Sequence, residues 1–362
     1  MDMPSGLPAA AHAADFQAAL AEAEELVQAA GGVLQATVSC RRAQPHAALF
    51  VGTGKAEELA AMVRAEQIDL VVFNHELSPT QERNLEKTLQ CRVLDRIGLI
   101  LAIFAQRAQT QEGRLQVELA QLTHLSSRLV RGYGHLQSQR GGIGLKGPGE
   151  TQLETDRRLI GQKIARLKKR LAEVKRQRAT QRKNRARNRI PVFALVGYTN
   201  VGKSTLFNRL TKADVLAKDQ LFATLDTTAR RLWLAEDVTV LLTDTVGFVR
   251  DLPHRLIAAF SATLEETAQA DILLHVADAA HADVQNQIEH VNAVLREIGA
   301  GDVPQIIVYN KIDRLPEQTD AEILRNHLGD IEAVRLSATD GSTLNVLRTA
   351  IAETVRAFSA TN

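Results

Sequence analysis

The chain has 362 residues, of which 45% are hydrophobic and 24% charged, the composition of a globular protein of two or three domains. Its formal net charge of +2 hides an asymmetry, because fifteen of the 44 Lys and Arg residues lie in residues 157–189 beside one acid, Glu173. The rest of the chain has 29 basic and 41 acidic residues. So concentrated a positive segment on an otherwise acidic protein indicates a polyanionic partner.

The sequence also excludes several classes of protein. Cys40 and Cys91 match no metal-ligand spacing and are too few for a disulfide framework. The first residues lack the basic and apolar regions of a signal peptide, and the longest apolar stretch, residues 97–105, is too short to cross a bilayer. We therefore expect a cytoplasmic, monomeric protein without stable membrane insertion.

Residues 1–114 are predicted to form a small N-terminal α/β domain. Its first helix carries Phe16, Leu20 and Val27 at helical spacing. Strand-like runs then alternate with helical stretches. The strands are predicted at residues 33–38, 48–51 and 70–73, and the helices at 56–65 and 79–89.

Residues 115–189 are predicted to form an antiparallel helical hairpin or a short coiled coil. Apolar residues recur at heptad-like spacing in two runs: Leu115, Leu119, Leu122 and Leu129, then Leu153, Ile160, Ile164, Leu167, Leu171 and Val174. The connection between the runs, residues 131–150, contains seven glycines. A loop so long and so rich in glycine is usually functional or disordered.

Residues 190–362 are predicted to form a doubly wound α/β domain, in which helical crossovers join the strands of a mostly parallel sheet. Strands are predicted at 192–196, around Trp233, and at 238–243, 272–277, 305–309 and 333–335. Helices are predicted from Lys203 onward and over 344–358.

A phosphate-binding loop lies at the start of this domain. Residues 197–204, GYTNVGKS, fit the pattern G-x-x-x-x-G-K-[ST] between a strand and a helix. The glycines let backbone N–H groups surround the phosphates, Lys203 reaches the β- and γ-phosphates, and the Ser204 hydroxyl binds Mg²⁺. The expected nucleotide-binding residues are Gly197, Tyr198, Thr199, Asn200, Val201, Gly202, Lys203, Ser204 and Thr205.

Three further motifs follow predicted strands in the order that a GTPase requires. The Asp244 carboxylate can hold the metal through water, and the Gly247 N–H can sense the γ-phosphate. Asp313 can accept two hydrogen bonds from guanine, and a buried carboxylate left unpaired is costly, so the site should reject adenine. A backbone N–H at Ser337–Ala338 would lie near guanine O6. The nucleotide-binding residues predicted here are Asp244, Thr245, Val246, Gly247, Asn310, Lys311, Ile312, Asp313, Ser337, Ala338 and Thr339.

The segment between the first two motifs, residues 222–228 with the sequence FATLDTT, is predicted to be a switch loop. Thr224 is the candidate for the hydroxyl that joins Mg²⁺ only when the γ-phosphate is present, with Thr227 and Thr228 as alternatives. The nucleotide-binding residues predicted here are Phe222, Ala223, Thr224, Leu225 and Asp226.

One catalytic group that many GTPases carry is missing from the second motif. Phe248 follows Gly247, where many GTPases carry a Gln that orients the attacking water, and a phenyl ring cannot do this. Intrinsic hydrolysis is therefore expected to be slow, with another group completing the site. Asn200 either helps to bind a monovalent cation such as K⁺, which would offset charge, or has a purely structural role. The predicted catalytic residues are Lys203, Thr224, Gly247 and Asn200.

The basic segment has three interpretations. It lacks aromatic residues, so stacking on single-stranded bases is not expected. Contact with the phosphates of structured RNA is favoured over a solvated helical face and over an anionic membrane surface. The predicted RNA contacts in it are Lys168, Lys169, Arg170, Arg182, Lys183 and Arg185.

The glycine-rich run GGIGLKGPGETQLETD at residues 141–156, together with GYTN at 197–200 and FATLD at 222–226, resembles the HflX GTPases over nearly the whole chain. These are ribosome-associated, translation-factor-like P-loop GTPases. The resemblance implies an N-terminal α/β domain, a helical hairpin and a G domain that binds GTP and GDP with Mg²⁺. It implies binding to the large ribosomal subunit (50S) and GTP-dependent splitting or rescue of stalled ribosomes.

The resemblance also assigns contacts at the hairpin tip, where Arg140, Lys146 and Glu150 would approach the peptidyl-transferase region. The absence of the Gln at position 248 is typical of the family and fits activation by the ribosome. Some relatives carry an extra C-terminal domain, whose contacts are not expected for a chain ending at Asn362. The alternative function is an RNA-binding or RNA-remodelling module that uses the nucleotide as a structural ligand.

Overall fold

The computed structural model describes residues 9–131, 148–186, 190–212, 221–250, 253, 256 and 261–361. The chain folds into two compact units and passes between them three times. The first unit comprises Met1–Gln106 and Arg114–Ala172, and the second comprises Arg107–Gly113 and Glu173–Asn362. The three domains predicted from the sequence, 1–114, 115–189 and 190–362, stay a prediction.

The first unit begins with a small α/β structure. Its elements are α1 Ala9–Ala29, α2 Thr53–Ala65, β1 Leu70–Phe73, α3 Pro79–Leu89, β2 Arg92–Asp95 and α4 Arg96–Arg107. The strands β1 and β2 pair in parallel, and their apolar side chains pack with those of α2 and α3 around Phe73, Leu85 and Val93. A capping box fixes the start of α3, because the Ser78 and Gln81 side chains each accept a hydrogen bond from the other residue's N–H.

Two predicted strands of this unit are wrong. Residues 33–38 lie outside regular structure and are exposed, with Val33 at 81% of its full exposure. In residues 48–51 only an isolated bridge between His46 and Phe50 forms. The apolar runs are present, but a strand is stable only when it pairs with a neighbour, and no strand of the described part of the chain pairs with these segments. The predicted strand 70–73 and helix 79–89 are confirmed, and β2 was not predicted.

The predicted hairpin has two long helices, α5 Gln111–Arg131 and α6 Pro148–Ala186. Leu115 packs on Leu167 and Leu171, and Lys163 Nζ lies 2.9 Å from Glu118 Oε1. Positions later in α5 thus meet positions earlier in α6, so the helices are antiparallel. The glycine-rich connection at residues 132–147 lies outside the described residues.

The second unit contains a seven-stranded sheet in the order β4-β5-β3-β6-β7-β9-β8. Its strands are β3 Val192–Gly197, β4 Thr228–Ala235, β5 Val238–Asp244, β6 Ile272–Asp278, β7 Gln305–Asn310, β8 Glu322–Arg325 and β9 Ile331–Arg335. Its helices are α7 Lys203–Thr211, α8 Ser261–Ala268, α9 Val284–Glu297 and α10 Leu344–Thr361. The inner strands pair in parallel, and β4 and β8 pair antiparallel at the edges. The predicted mostly parallel α/β fold is confirmed, although β8 was not predicted.

This topology positions the motifs. Parallel strands present their carboxyl ends at one edge of a sheet, where α/β proteins bind ligands. The phosphate loop follows β3, Asp244 ends β5, Asn310 ends β7, and Ser337 lies just after β9. Four distant stretches of sequence therefore meet at one edge. Among the described helices, none is long and apolar enough to cross a membrane.

Candidate nucleotide-binding site

A cavity of about 330 Å³ lies at this edge of the sheet, and residues of every predicted motif line it. The lining residues are Thr199, Asn200, Gly202, Lys203, Ser204, Thr205, Phe222, Ala223, Thr224, Thr245, Gly247, Asn310, Lys311, Asp313, Arg314, Ser337, Ala338 and Thr339. The structure thus brings the five predicted segments together around one volume.

The phosphate loop is shaped by backbone conformations that few residues adopt. Gly202 caps α7 with φ of +94°, and a Cβ there would lie 2.4 Å from Asn310 Nδ2. Asn200 has φ of +61°, a conformation that Asn tolerates better than most residues. The loop leads directly into the N-terminus of α7, where unpaired backbone N–H groups favour an anion. This arrangement suits a polyphosphate.

Lys203 is buried inside the loop. Its Nζ donates hydrogen bonds to the carbonyl oxygens of Gly197, at 3.0 Å, and Tyr198, at 2.6 Å. Burial lowers the pKa of Lys203 to about 8, although the nearby Asp244 carboxylate favours the charged form. The side chain is therefore a cation held next to the anion-binding N–H groups.

Three oxygen-bearing side chains meet beside Lys203. Ser204 Oγ and Thr224 Oγ1 lie 2.7 Å apart, and both donate to Asp244 Oδ2, at 2.8 and 3.0 Å. Asp244 is fully buried, which raises its pKa, while the hydrogen bond from Ser204 and the charge of Lys203 oppose the rise. Its Oδ1 has no hydrogen-bond partner within the described structure. The cluster thus combines an unpaired, buried carboxylate oxygen with two hydroxyl oxygens. Mg²⁺ prefers oxygen ligands of this kind, so the residues present fit this ion.

Thr224 is the switch threonine that the structure brings into this cluster. Its side chain is buried, at 9% of its full exposure. Of the two alternatives, Thr227 has a buried hydroxyl without a partner among the described residues, and Thr228 begins β4. Phe222, at the start of the switch, has φ of +54°, a strained conformation for an aromatic residue that often marks a functional segment.

Phe248 lies in the core. Its side chain is 1% exposed, and its backbone pairs with the phosphate loop. The Phe248 N–H donates to Gly197 O at 3.2 Å, and its carbonyl accepts from the Thr199 N–H at 2.7 Å. The position at which many GTPases orient water therefore contributes no polar side chain to the cavity.

Asn310 and Lys311 tie the base side of the cavity to the phosphate loop. Asn310 Nδ2 donates to Val201 O and its Oδ1 accepts from the Ala338 N–H, both at 2.8 Å. Lys311 Nζ donates to Asn200 O at 2.8 Å and lies 2.7 Å from Asp278 Oδ2. These contacts hold the motifs of three strands in one arrangement.

The two base contacts, by Asp313 and by a backbone N–H at Ser337–Ala338, stay predictions. Asp313 is exposed at the cavity wall, and the buried polar residue of its motif is Asn310. The Ala338 N–H donates to Asn310 Oδ1. The short 3₁₀ turn Ile312–Arg314 carries Asp313 out of the sheet edge, while Asn310 stays at the end of β7.

Several predicted nucleotide-binding residues do not line the cavity. Gly197, Tyr198, Val201, Leu225, Val246 and Ile312 lie in or near the core that supports the loops, and Asp244 lies behind the two hydroxyls. Asp226 binds the backbone of Gln109 and Thr110 instead. Arg314 lines the cavity and was missed, since its only sequence signal is that it follows Asp313.

The predicted RNA contacts are only partly described. Lys168, Lys169 and Arg170 are exposed on α6. Arg182, Lys183 and Arg185 belong to the helical backbone of α6, as does Glu150, but their side chains lie outside the description. Arg140 and Lys146 lie in the loop that the structure does not describe.

Three family models match consecutive parts of this chain. Residues 17–105 match the family model "GTP-binding GTPase N-terminal", residues 107–185 match "GTP-binding GTPase Middle Region", and residues 192–311 match "50S ribosome-binding GTPase". The GTPase HflX of Escherichia coli K12 is 54% identical over 92% of this chain and 78% of its own length. The chain belongs to the HflX GTPase family.

Other HflX relatives agree, and one solved structure shows the fold. The GTPase HflX of Magnetococcus marinus is 52% identical over 90% of this chain and 75% of its own length. The structure of a protein named SsGBP with GDP aligns with a TM-score of 0.54 and 24% identity over 93% of this chain and 95% of that one. The family membership makes this protein a GTP hydrolase.

Proposed function

We propose that this HflX-family GTPase binds the large ribosomal subunit and uses GTP to split or rescue stalled ribosomes, with hydrolysis stimulated by the ribosome. The observation that carries the proposal is the burial of Phe248, whose side chain and backbone are both engaged in the fold. Because position 248 cannot orient the attacking water, another group must complete the site, and a bound partner can supply it. The description of the matched family model names the 50S subunit as the candidate partner.

Within the cavity, the charges and donors support distinct roles. Lys203 binds the β- and γ-phosphates, the Gly247 N–H contacts the γ-phosphate, and Asp313 accepts hydrogen bonds from guanine. The Ser204 and Thr224 hydroxyls would hold Mg²⁺, with Asp244 behind them. The ion offsets the charge of the phosphates when it is bound.

Asn200 is proposed to help bind K⁺. Asn200 lines the cavity, and its backbone carbonyl accepts a hydrogen bond from Lys311 Nζ. The structural contact therefore does not depend on the amide group. Replacing Na⁺ by K⁺ should raise GTP turnover in the unmodified protein but not in Asn200→Ala. An equal response of both proteins would assign the residue a structural role.

The rRNA contact is proposed for the exposed basic residues of α6, of which Lys168, Lys169 and Arg170 are described. Phosphates attract such a cluster without sequence preference, so binding should weaken steeply as salt rises. A module that used the nucleotide only as a structural ligand would bind ribosomes equally with GDP and with a GTP analogue. Comparing the two affinities separates this alternative from the proposal.

The decisive experiment measures GTP turnover in potassium buffer, alone and with purified 50S subunits. We expect slow turnover alone and strong stimulation by the subunits, both lost in Lys203→Ala. Light scattering of intact ribosomes then tests splitting, which should require GTP or its analogue. Absence of stimulation by 50S subunits would overturn the proposed partner, and stimulation without a scattering change would overturn splitting.

A further inference from the structure

The switch loop is held at two points only two residues apart. Thr224 donates to Asp244 Oδ2 inside the proposed metal site. Asp226 accepts hydrogen bonds from a segment more than a hundred residues earlier, at Gln109 and Thr110. Leu225, between them, is 2% exposed. Thr224 and Asp226 are therefore anchored on different partners, on either side of a buried residue.

The Asp226 carboxylate is well satisfied by this segment. Its Oδ2 accepts from the N–H groups of Gln109, at 2.7 Å, and Thr110, at 2.9 Å. Its Oδ1 accepts from the Thr110 hydroxyl. Thr110 in turn caps α5, since its Oγ1 accepts from the Gly113 N–H at 3.0 Å. Hydrogen bonds to an ionised carboxylate are stronger than neutral ones, and a helix N-terminus favours a negative charge.

These contacts lie within one compact unit. The segment Arg107–Gly113 belongs to the second unit, together with the sheet and the phosphate loop, although its neighbours in sequence belong to the first. The segment also lies outside residues 192–311, which match the GTPase family model. A stretch of chain far from the GTPase motifs thus supports their switch.

We propose that Asp226 is a positioning residue for GTP binding: anchored on Gln109 and Thr110, it holds Thr224 where Mg²⁺ and the γ-phosphate require its hydroxyl. The proposal rests on the role proposed above for Thr224. Ordering a loop before the ligand arrives removes part of the entropy cost of binding, so loss of the anchor should weaken affinity for GTP. GDP lacks the γ-phosphate and does not use this hydroxyl, so its affinity should not change.

Gly113 offers a test that leaves every group of the nucleotide site intact. A Cβ at Gly113 would lie 2.1 Å from Asp226 Oδ1 and 3.2 Å from Thr110 Oγ1. Gly113→Ala should therefore displace the Asp226 carboxylate, although Ala favours a helix more than Gly does. The matched control is Gly161→Ala in α6, where nothing lies within 4 Å of the added carbon.

The experiment titrates the full-length protein with fluorescent GDP and with a fluorescent non-hydrolysable GTP analogue, each at several Mg²⁺ concentrations. For Asp226→Ala and Gly113→Ala we expect a roughly tenfold loss of affinity for the GTP analogue, within the usual range of coupling between sites. GDP affinity should change less than about twofold, a difference below 0.5 kcal/mol. Asp226→Asn keeps one acceptor oxygen and should lose less. Gly161→Ala should match the unmodified protein.

Thr224→Ala distinguishes the possible failures. If it loses affinity for the GTP analogue while Asp226→Ala and Gly113→Ala do not, the positioning role is overturned and the role of Thr224 stands. If Thr224→Ala behaves like the unmodified protein, the proposed metal contact fails, and the positioning role fails with it. Equal losses for GDP and the GTP analogue in Asp226→Ala and Gly113→Ala would show that the contact is merely structural. Thermal unfolding of each variant confirms that the affinities refer to folded protein.

Discussion

The buried Lys203 makes nucleotide affinity depend on pH. In the free protein its Nζ contacts two backbone carbonyls, and burial lowers its pKa from 10.5 to about 8. Bound phosphates favour the charged ammonium and raise this pKa, so the complex holds more protons than the free protein above pH 8. Affinity must then fall as pH rises.

The pKa of Lys203 determines how much the affinity for GTP changes with pH. Below pH 8 the affinity for GTP is expected to be nearly constant, and above it to fall by up to about tenfold per pH unit, about 1.4 kcal/mol. The fall ends where the pKa of the complex is reached. If that pKa returned to the ordinary 10.5, the total loss of binding free energy would be roughly 3 kcal/mol.

The assay is a titration with a fluorescent GTP analogue between pH 7 and 9 at fixed Mg²⁺ and ionic strength. The γ-phosphate is largely ionised over this range, as its last pKa is expected near 6, as in other phosphate esters. Lys203→Arg is the matched control, because a guanidinium stays charged throughout and any titration of the base affects both proteins equally. Parallel pH profiles for the two proteins would refute the argument from burial.

Three other predictions follow from the site and the basic helix. Asp313→Asn should lower the affinity for GTP and raise the affinity for xanthosine triphosphate, as measured by competition. An unchanged base preference would show that the guanine site has been assigned to the wrong residues. Phe248→Gln should place a polar amide in the core at a cost of about 1–3 kcal/mol, seen in thermal unfolding, and should leave intrinsic turnover slow; faster turnover would contradict the burial argument. Replacing Lys168, Lys169 and Arg170 by Ala should reduce the salt dependence of 50S binding, and an unchanged slope would remove this cluster from the interface.

The nucleotide site was largely predictable from the sequence because its chemistry is local. Each motif supplies a short run of residues directly after a strand, and parallel strands bring their ends to one edge. Thr224 was preferred over two neighbouring threonines, and it is the one beside Ser204. The exposure of Asp313 was not predictable, because it depends on how a three-residue turn leaves the sheet.

Contacts between residues far apart in the chain could not be predicted from the sequence. The run at residues 33–38 has the alternation of a strand, but pairing depends on a partner elsewhere, and Val33 is exposed. The strands β2 and β8 have four residues each, too few for a periodic pattern to stand out. The hydrogen bonds between Asp226 and Thr110 join residues 116 positions apart, and neither residue marks the other in the sequence.

The interleaving of the two units has a consequence for synthesis. Thr110 leaves the translating ribosome 116 residues before Asp226, which takes roughly 6–23 s at 5–20 residues per second. During that time the residues around it can fold, but Thr110 and its neighbours lack the carboxylate that completes them. A truncated chain that began at the phosphate loop would lack the segment Arg107–Gly113 altogether. The support of the switch therefore stays incomplete until residue 226 has been made, and the later motifs of the site, at residues 244–247, 310–313 and 337–339, are added after it.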